Sequence, residues 1–388
     1  MNWSDLKAPA LAGTVATVTG LAASASIVLA AYKSLGATTA QATSGFVVMI
    51  SLYGLLSIIL SFKYKMPISV VWSTPGAALL VAAGGLGLSF ATATGAFIVT
   101  GLLFVLTGLW PALGRLVASI PKPIASAMLA GVIFTFCLAP FQSLKDFPVV
   151  IIPVLLVWLI LYKFAPLWAA PASVALLFVL IAVTTNIAVS ADHLLPTLQF
   201  VVPEFSWAGV VGISIPLYFV TMASQNVPGI AIMKSYGYDV PFRPVITTIG
   251  LTTVFGAFLG GWALNLAAIT AAINANEHAH KDPSKRWMAA AIGGVWFQFL
   301  ALFAGITVAF VLDAPRILIL AAAGVALFGT LVSALSSMVE VPEHRMPAII
   351  TFLVGASGIA LFSIGAAFWA LVAGLIVLAW LRLRKRAK

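Results

Sequence analysis

The sequence predicts an all-α polytopic membrane protein: 14 transmembrane segments in a 7+7 inverted repeat, with half-helices in spans 3 and 10 preceded by short extended strands. Three observations carry this expectation. Of 388 residues, 62% are apolar and 8% charged, against about 45–50% and 25% in soluble domains. A water-soluble fold of this length has no interior large enough for that much apolar surface, which excludes soluble enzymes, nucleic-acid readers and disordered scaffolds. Apolar stretches near the ~20 residues a bilayer requires recur from one end of the chain to the other. The basic residues fall on alternate loops, as the positive-inside rule demands.

In order, the first-half spans are placed at 9–32, 41–62, 66–83, 91–110, 123–141, 147–164 and 169–189. The second half holds 210–234, 244–260, 262–276, 288–311, 316–336, 347–363 and 365–382. The first stretch is too long for the h-region of a signal peptide and is followed by more of its kind. Ser190–Trp207 is the one long connector and divides the spans seven and seven. With a cytoplasmic N-terminus, Lys33, Lys145 and Arg316 fall outside and the other seventeen of the 20 Lys and Arg inside. The net charge of +10 therefore sets orientation rather than marking an acidic partner. An even span number returns Arg382–Lys388 to the cytoplasm, where a basic run beside a span reads as an anchor to lipid headgroups, not nucleic acid. Seven spans per half make the halves enter from opposite sides, the topology of an inverted repeat. A shift of 193 lays Ala130-Gly131-Val132 over Ala323-Gly324-Val325 and Gly101 over Gly294.

Spans 3 and 10 look interrupted. Pro67 and a β-branched run favour extended backbone before Thr74, an N-cap residue followed by Pro75 at a favoured first-turn position. Seven extended residues from Met66 rise roughly 23 Å, enough to bring that helix start to mid-membrane. In span 10, Asn265 is the expected N-cap after Gly260-Gly261-Trp262. Two positive helix ends then face each other, an arrangement that attracts anions. The alternative reading has Pro75 kinking a continuous helix and Asn265 in a loop. Span 8 carries the densest polar run, Thr221 to Gly229. Gln225 and Asn226 are costly against lipid and face a cavity or a partner helix, as substrate ligands or as interhelical glue. Thr14, Thr17, Thr19, Ser24 and Ser26 of span 1 read as packing residues more readily than as ligands.

No acid, base or histidine falls in the middle of a span. His193, His278, His280 and His344 are scattered, so no metal site is expected, and Cys137 reads as a packed thiol. No catalytic cluster, phosphate loop or cofactor motif appears. The expectation is a protein that is not an enzyme and holds no cofactor.

Trp72-Ser73-Thr74-Pro75-Gly76-Ala77-Ala78-Leu79-Leu80, the run Val220–Ala231 and Ala267–Ile273 resemble motifs of the bacterial benzoate:proton symporter (BenE) family. That family is similar in fold to the UraA-like nucleobase permeases and the sulphate permeases. The resemblance implies a core of 1–110 and 191–311, and a gate of 111–190 and 312–388. It implies substrate bound between the half-helices by Ser73, Thr74, Pro75, Gly76, Ser224, Gln225, Asn226, Asn265 and Thr270. It further implies elevator-type import of benzoate or a similar aromatic carboxylate with a proton across the bacterial cytoplasmic (inner) membrane, with both termini cytoplasmic. The uracil-type permeases place glutamates on spans 8 and 10, where this chain has Gln225 and Asn265. The proton's route stays open between the substrate itself and a relay at Glu277 or His280. Oligomeric state also stays open, dimers through the gate being common in the wider fold. The rival readings are a passive anion channel or facilitator and a nucleobase:proton symporter.

Overall fold

The computed structural model describes residues 3–110, 112–113, 120–185, 197–359, 361 and 365–386. Arg115, the expected domain boundary at 190–191 and the last two residues of the basic C-terminal run lie outside the described residues. The first half runs α1 (Trp3–Ser34), α2 (Thr39–Tyr64), β1 (Val70–Trp72), α3 (Thr74–Ala83), α4 (Phe90–Leu109), α5 (Lys122–Gln142), α6 (Pro148–Phe164) and α7 (Pro166–Thr184). The second runs α8 (Trp207–Ser235), α9 (Phe242–Ala257), β2 (Leu264–Leu266), α10 (Ile269–Ala275), α11 (Trp287–Ala301), α12 (Ala304–Asp313), α13 (Arg316–Val339), α14 (Arg345–Ala356) and α15 (Ala366–Arg386).

Local chemistry explains most boundaries. A capping box between Thr38 and Gln41 starts α2, and Lys65, at φ 53°, ends it in the left-handed conformation. Ser89 caps α4 through the Thr92 N–H. Prolines in the first turns of α5, α6 and α7 lose no hydrogen bond there. Among the described residues, six helices are long and apolar enough to cross a membrane, seven if α11 and α12 count as one bent span. That last pair corrects the expectation of an unbroken helix over 288–311: the axis turns by 63° between Ala301 and Ala304. Neither Leu302 nor Phe303 is a helix breaker, so hydrophobic periodicity carries no trace of the bend.

Helix α8 is also not a plain helix. Two π turns, Val210–Ser214 and Met222–Asn226, interrupt it. Each ends two residues before a proline, Pro216 or Pro228. Proline has no N–H and clashes with the carbonyl four residues back, and a widened turn relieves that clash.

Close helix approaches rest on paired small residues. A Cβ on Gly294 of α11 would stand 2.5 Å from the Gly54 carbonyl of α2, and one on Gly250 of α9 would stand 2.8 Å from the Gly101 carbonyl of α4. At the centre, β1 and β2 pair antiparallel, Val71 opposite Asn265. Two buried strands leave outward backbone groups that water cannot reach, and helix side chains satisfy them. Val70 N–H donates to Ser57 Oγ at 2.8 Å, Leu264 N–H to Thr253 Oγ1 at 3.2 Å, and Leu266 N–H to Asn226 Oδ1 at 2.9 Å. The described end of the connector straps onto the same bundle. Gln199 N–H reaches Ser44 Oγ, Val201 N–H reaches the Phe258 carbonyl, and the Glu204 carboxylate accepts from the Ser89 and Thr92 hydroxyls.

Candidate functional site

Where the ribbon strands run into α3 and α10, a cavity of about 170 Å³ opens. An apolar cavity of about 150 Å³ takes up benzene, so this one has room for a single six-membered ring. Aromatic side chains from three elements form one wall. Trp72 stacks on Phe46 with ring centroids 5.6 Å apart, Tyr53 meets Trp72 edge-on at 5.4 Å, and Phe297 meets Tyr53 edge-on at 4.4 Å. The two edge-on contacts are a favoured geometry of ring quadrupoles. The indole N–H of Trp72 donates to Ser24 Oγ at 2.8 Å, which fixes the ring that faces the cavity. Gly20 of α1 adds only backbone to the wall, and Ala326 and Thr330 of α13 also line the cavity.

The sequence-predicted site residues divide into two groups. Thr74, Pro75, Gln225 and Thr270 line the cavity. The Thr270 hydroxyl is buried with no hydrogen-bond partner among the described residues, and the residue as a whole is 9% exposed. Gln225 sits on the second π turn of α8 and is among the residues lining the space.

The others support the frame. Ser73, not Thr74, is the N-cap of α3: its Oγ accepts from Gly76 N–H at 3.0 Å, and Thr74 is the first helical residue. The expected cap was one residue late because serine and threonine cap alike and only the backbone angle separates them. Gly76 is packed against Leu217, where a Cβ would stand 2.7 Å from that side chain. Asn265 is not a cap either. It lies in β2, its Nδ2 donates to the Leu266 carbonyl at 2.8 Å, and α10 starts after Ala268 with no side-chain cap. Asn226 braces β2 through Leu266 N–H, and Ser224 Oγ bonds back to the Val220 carbonyl at 2.5 Å. None of these five lines the cavity.

Glu277 and His280 lie beyond the far end of α10. Glu277 is exposed. His280 Nδ1 accepts from Asp282 N–H at 2.9 Å, and its Nε2 is 3.9 Å from Asp5. This loop caps α10. Buried Arg286 donates to the Ala275 carbonyl at 2.8 Å and to the His280 carbonyl at 2.7 Å, placing a cation where the helix dipole is negative. Lys285, 2.9 Å from Asp5, ties the loop to the start of α1 and holds the Asp5 carboxyl below its usual range.

The sequence reading missed Gly20, Tyr53, Trp72, Phe297 and Thr330 as cavity residues, and took Ser24 for packing. A tyrosine and a tryptophan placed mid-span rather than in the interfacial belt were the available signal, since each has a polar tip that seeks a partner when buried.

A bundle of apolar helices around a buried two-strand ribbon, with a ring-sized cavity at the strand–helix junctions, defines a membrane transporter. The fold agrees with solved transporters. It matches the transmembrane domain of the cyanobacterial bicarbonate transporter BicA at a TM-score of 0.60 and 14% identity, over 97% of this chain and 98% of that one. It matches the murine Solute Carrier 26 family member A9 anion transporter in the inward-facing state at 0.60 and 13%, over 98% of this chain and 68% of that one. Residues 4–380 match the family described as benzoate membrane transport protein (BenE), and the chain belongs to that family. It is 40% identical to the inner membrane protein YdcO of Escherichia coli K12, over 94% of this chain and 93% of that protein. It is 34% identical to the benzoate membrane transport protein of Acinetobacter baylyi, over 82% and 81%. The protein is a multi-pass membrane transporter and not an enzyme.

Proposed function

We propose that the protein imports benzoate or a similar aromatic carboxylate together with a proton, by an elevator movement, across a bacterial inner membrane. The observation that carries this reading is the cavity: ring-sized, walled by Tyr53, Trp72 and Phe297, and lined also by Thr74, Thr270 and Gln225. The aromatic wall packs the substrate ring. Thr74, Thr270 and Gln225 hold its carboxyl group. Ser73, Gly76, Ser224, Asn226 and Asn265 keep the junction in shape, and Pro75 sets the first turn of α3.

The proposed architecture is fourteen spans in two inverted sevens. It is supported by the antiparallel ribbon centred on Val71 and Asn265, 194 positions apart. The reciprocal glycine contacts support it too: α4 with α9 and α2 with α11 exchange when the halves are swapped. The proposed core, 1–110 with 191–311, supplies most of the cavity. The proposed gate, 111–190 with 312–388, contributes Ala326 and Thr330. Sliding of one against the other carries the ligand. Both termini lie in the cytoplasm, and copies pair through the gate.

Uptake of labelled benzoate into proteoliposomes tests this. An imposed inward proton gradient is expected to drive accumulation above the outside concentration. Saturable uptake that only equilibrates, gradient or none, identifies a facilitator and removes the symport reading.

A further inference from the structure

Given that reading, the chemistry lining the cavity decides which protonation state of the ligand it accepts. Its polar side chains are Ser24, Tyr53, Thr74, Gln225, Thr270 and Thr330, and no Lys, Arg, His, Asp or Glu is among the described lining residues. A carboxylate desolvated without a cation tends to take up a proton instead of staying charged. The α3 helix end offers an anion little, because Ser73 already occupies Gly76 N–H and Pro75 has no N–H. The remaining side-chain groups both donate and accept. The Thr270 hydroxyl is buried with no partner among the described residues, none of which hydrogen-bonds the Gln225 amide either.

A primary amide and a neutral carboxylic acid are complementary. The acid O–H donates to Oε1 and the acid C=O accepts from Nε2–H, closing a two-bond pair. A carboxylate in the same place sets its second oxygen against Oε1, acceptor to acceptor.

We propose that the site binds the aromatic acid in its protonated, neutral form, with the carboxyl paired to the Gln225 amide. The transported proton then travels on the substrate. On the acidic side carboxylate and proton combine to the acid, which binds. On the other side the acid is released and gives up the same proton. No protein group changes protonation, and the cycle moves no net charge. Glu277, exposed beyond the far end of α10, and His280, engaged with Asp282 and Asp5, have no part in it.

The experiment is calorimetric titration of the purified full chain with benzoate at pH 5, 6, 7 and 8. Two further ligands complete it: benzamide, a neutral isostere with no ionising group, and an ortho-fluorinated benzoate, a stronger acid of nearly the same shape. A carboxyl group titrates near pH 4, so the neutral fraction falls about tenfold per pH unit. Apparent Kd scales with the inverse of that fraction. Benzoate Kd is expected to rise about 100-fold from pH 5 to pH 7, and benzamide Kd to stay constant. At pH 7 the fluorinated acid is expected to bind more weakly, in proportion to its greater acidity. Gln225→Leu is expected to weaken benzoate and benzamide alike, at least tenfold.

A benzoate Kd that changes less than threefold between pH 5 and 7 overturns the proposal. So does a pH-dependent Kd that ignores the ligand's acid strength, because a protein group is then the one that titrates. Failure of benzamide to bind, or full benzamide affinity in Gln225→Leu, overturns the amide pairing. If the folded protein binds no aromatic acid anywhere in this pH range, the transport reading itself fails, a result distinct from pH-independent binding.

Discussion

Thr270 is the side chain that the proposed ligand would satisfy. A buried hydroxyl without a partner costs about 1–3 kcal/mol, and nothing within the described fold repays it. Thr270→Val keeps the shape and removes that cost. The unliganded variant is expected to melt at or above the native temperature while benzoate affinity falls about tenfold, read from thermal unfolding and calorimetry on the same sample. At the other end of α10, the pair Asp5–Lys285 is exposed and its worth is small and salt-dependent. Its pH dependence has a definite sign. The Asp5 carboxyl is held low by Lys285, so its contribution is present at neutral pH and lost as pH falls through the depressed value. The Lys285 ammonium is raised by the same bond, so its contribution is lost as pH rises through the raised value. Asp5→Asn is therefore expected to lower the melting temperature slightly near pH 7 and to leave it unchanged in strong acid. An equal loss at both pH values would exclude an ionic tie.

Among the elements, α8 governs the geometry of the site. Its second π turn inserts one residue per turn beyond an α-helix, which rotates the downstream residues by roughly 100°. Gln225 and Asn226, neighbours on that turn, serve different sides, one lining the cavity and one bonding to the ribbon. Pro228→Ala restores an N–H and removes the clash that favours the widened turn. The expected result is a stably folded protein with benzoate affinity reduced tenfold or more; native affinity would show that the turn is held by packing instead. The ribbon is similarly exacting, since Ser57, Thr253 and Asn226 each answer one backbone N–H that lipid or packed side chains could not. Helix pairing tolerates as little. Gly294→Ala places a methyl 2.5 Å from the Gly54 carbonyl and is expected to cost about 1–3 kcal/mol, measured as loss of the monodisperse peak after graded heating.

For the whole molecule, the cavity wall is the informative boundary. Leu21 of α1 and Thr330 of α13 line it from the two proposed domains. If those domains slide, a disulfide formed between Leu21→Cys and Thr330→Cys is expected to stop uptake, and its reduction to restore it. Cys137, the one native cysteine, is buried in α5 and does not compete. Undiminished uptake in the cross-linked double variant would remove relative motion at this boundary from the mechanism.

Membrane residence, the order of apolar elements and the breaks near Pro75 and Asn265 were legible from sequence, because each follows from local chemistry. Apolar length satisfies the bilayer, proline removes an N–H, and a β-branched run favours extension. Thr74, Pro75, Gln225 and Thr270 were likewise visible as polar groups or helix starts where lipid would penalise them. The ring-sized cavity was not legible, nor that Tyr53, Trp72 and Phe297 from three separate elements form its wall. The same holds for the hydrogen bonds of Asn226 and Asn265 to the ribbon, and for the 63° bend between α11 and α12. Those features depend on which distant surfaces meet. A buried polar group takes whatever partner packing brings within about 3 Å, and no local pattern in the chain specifies that partner.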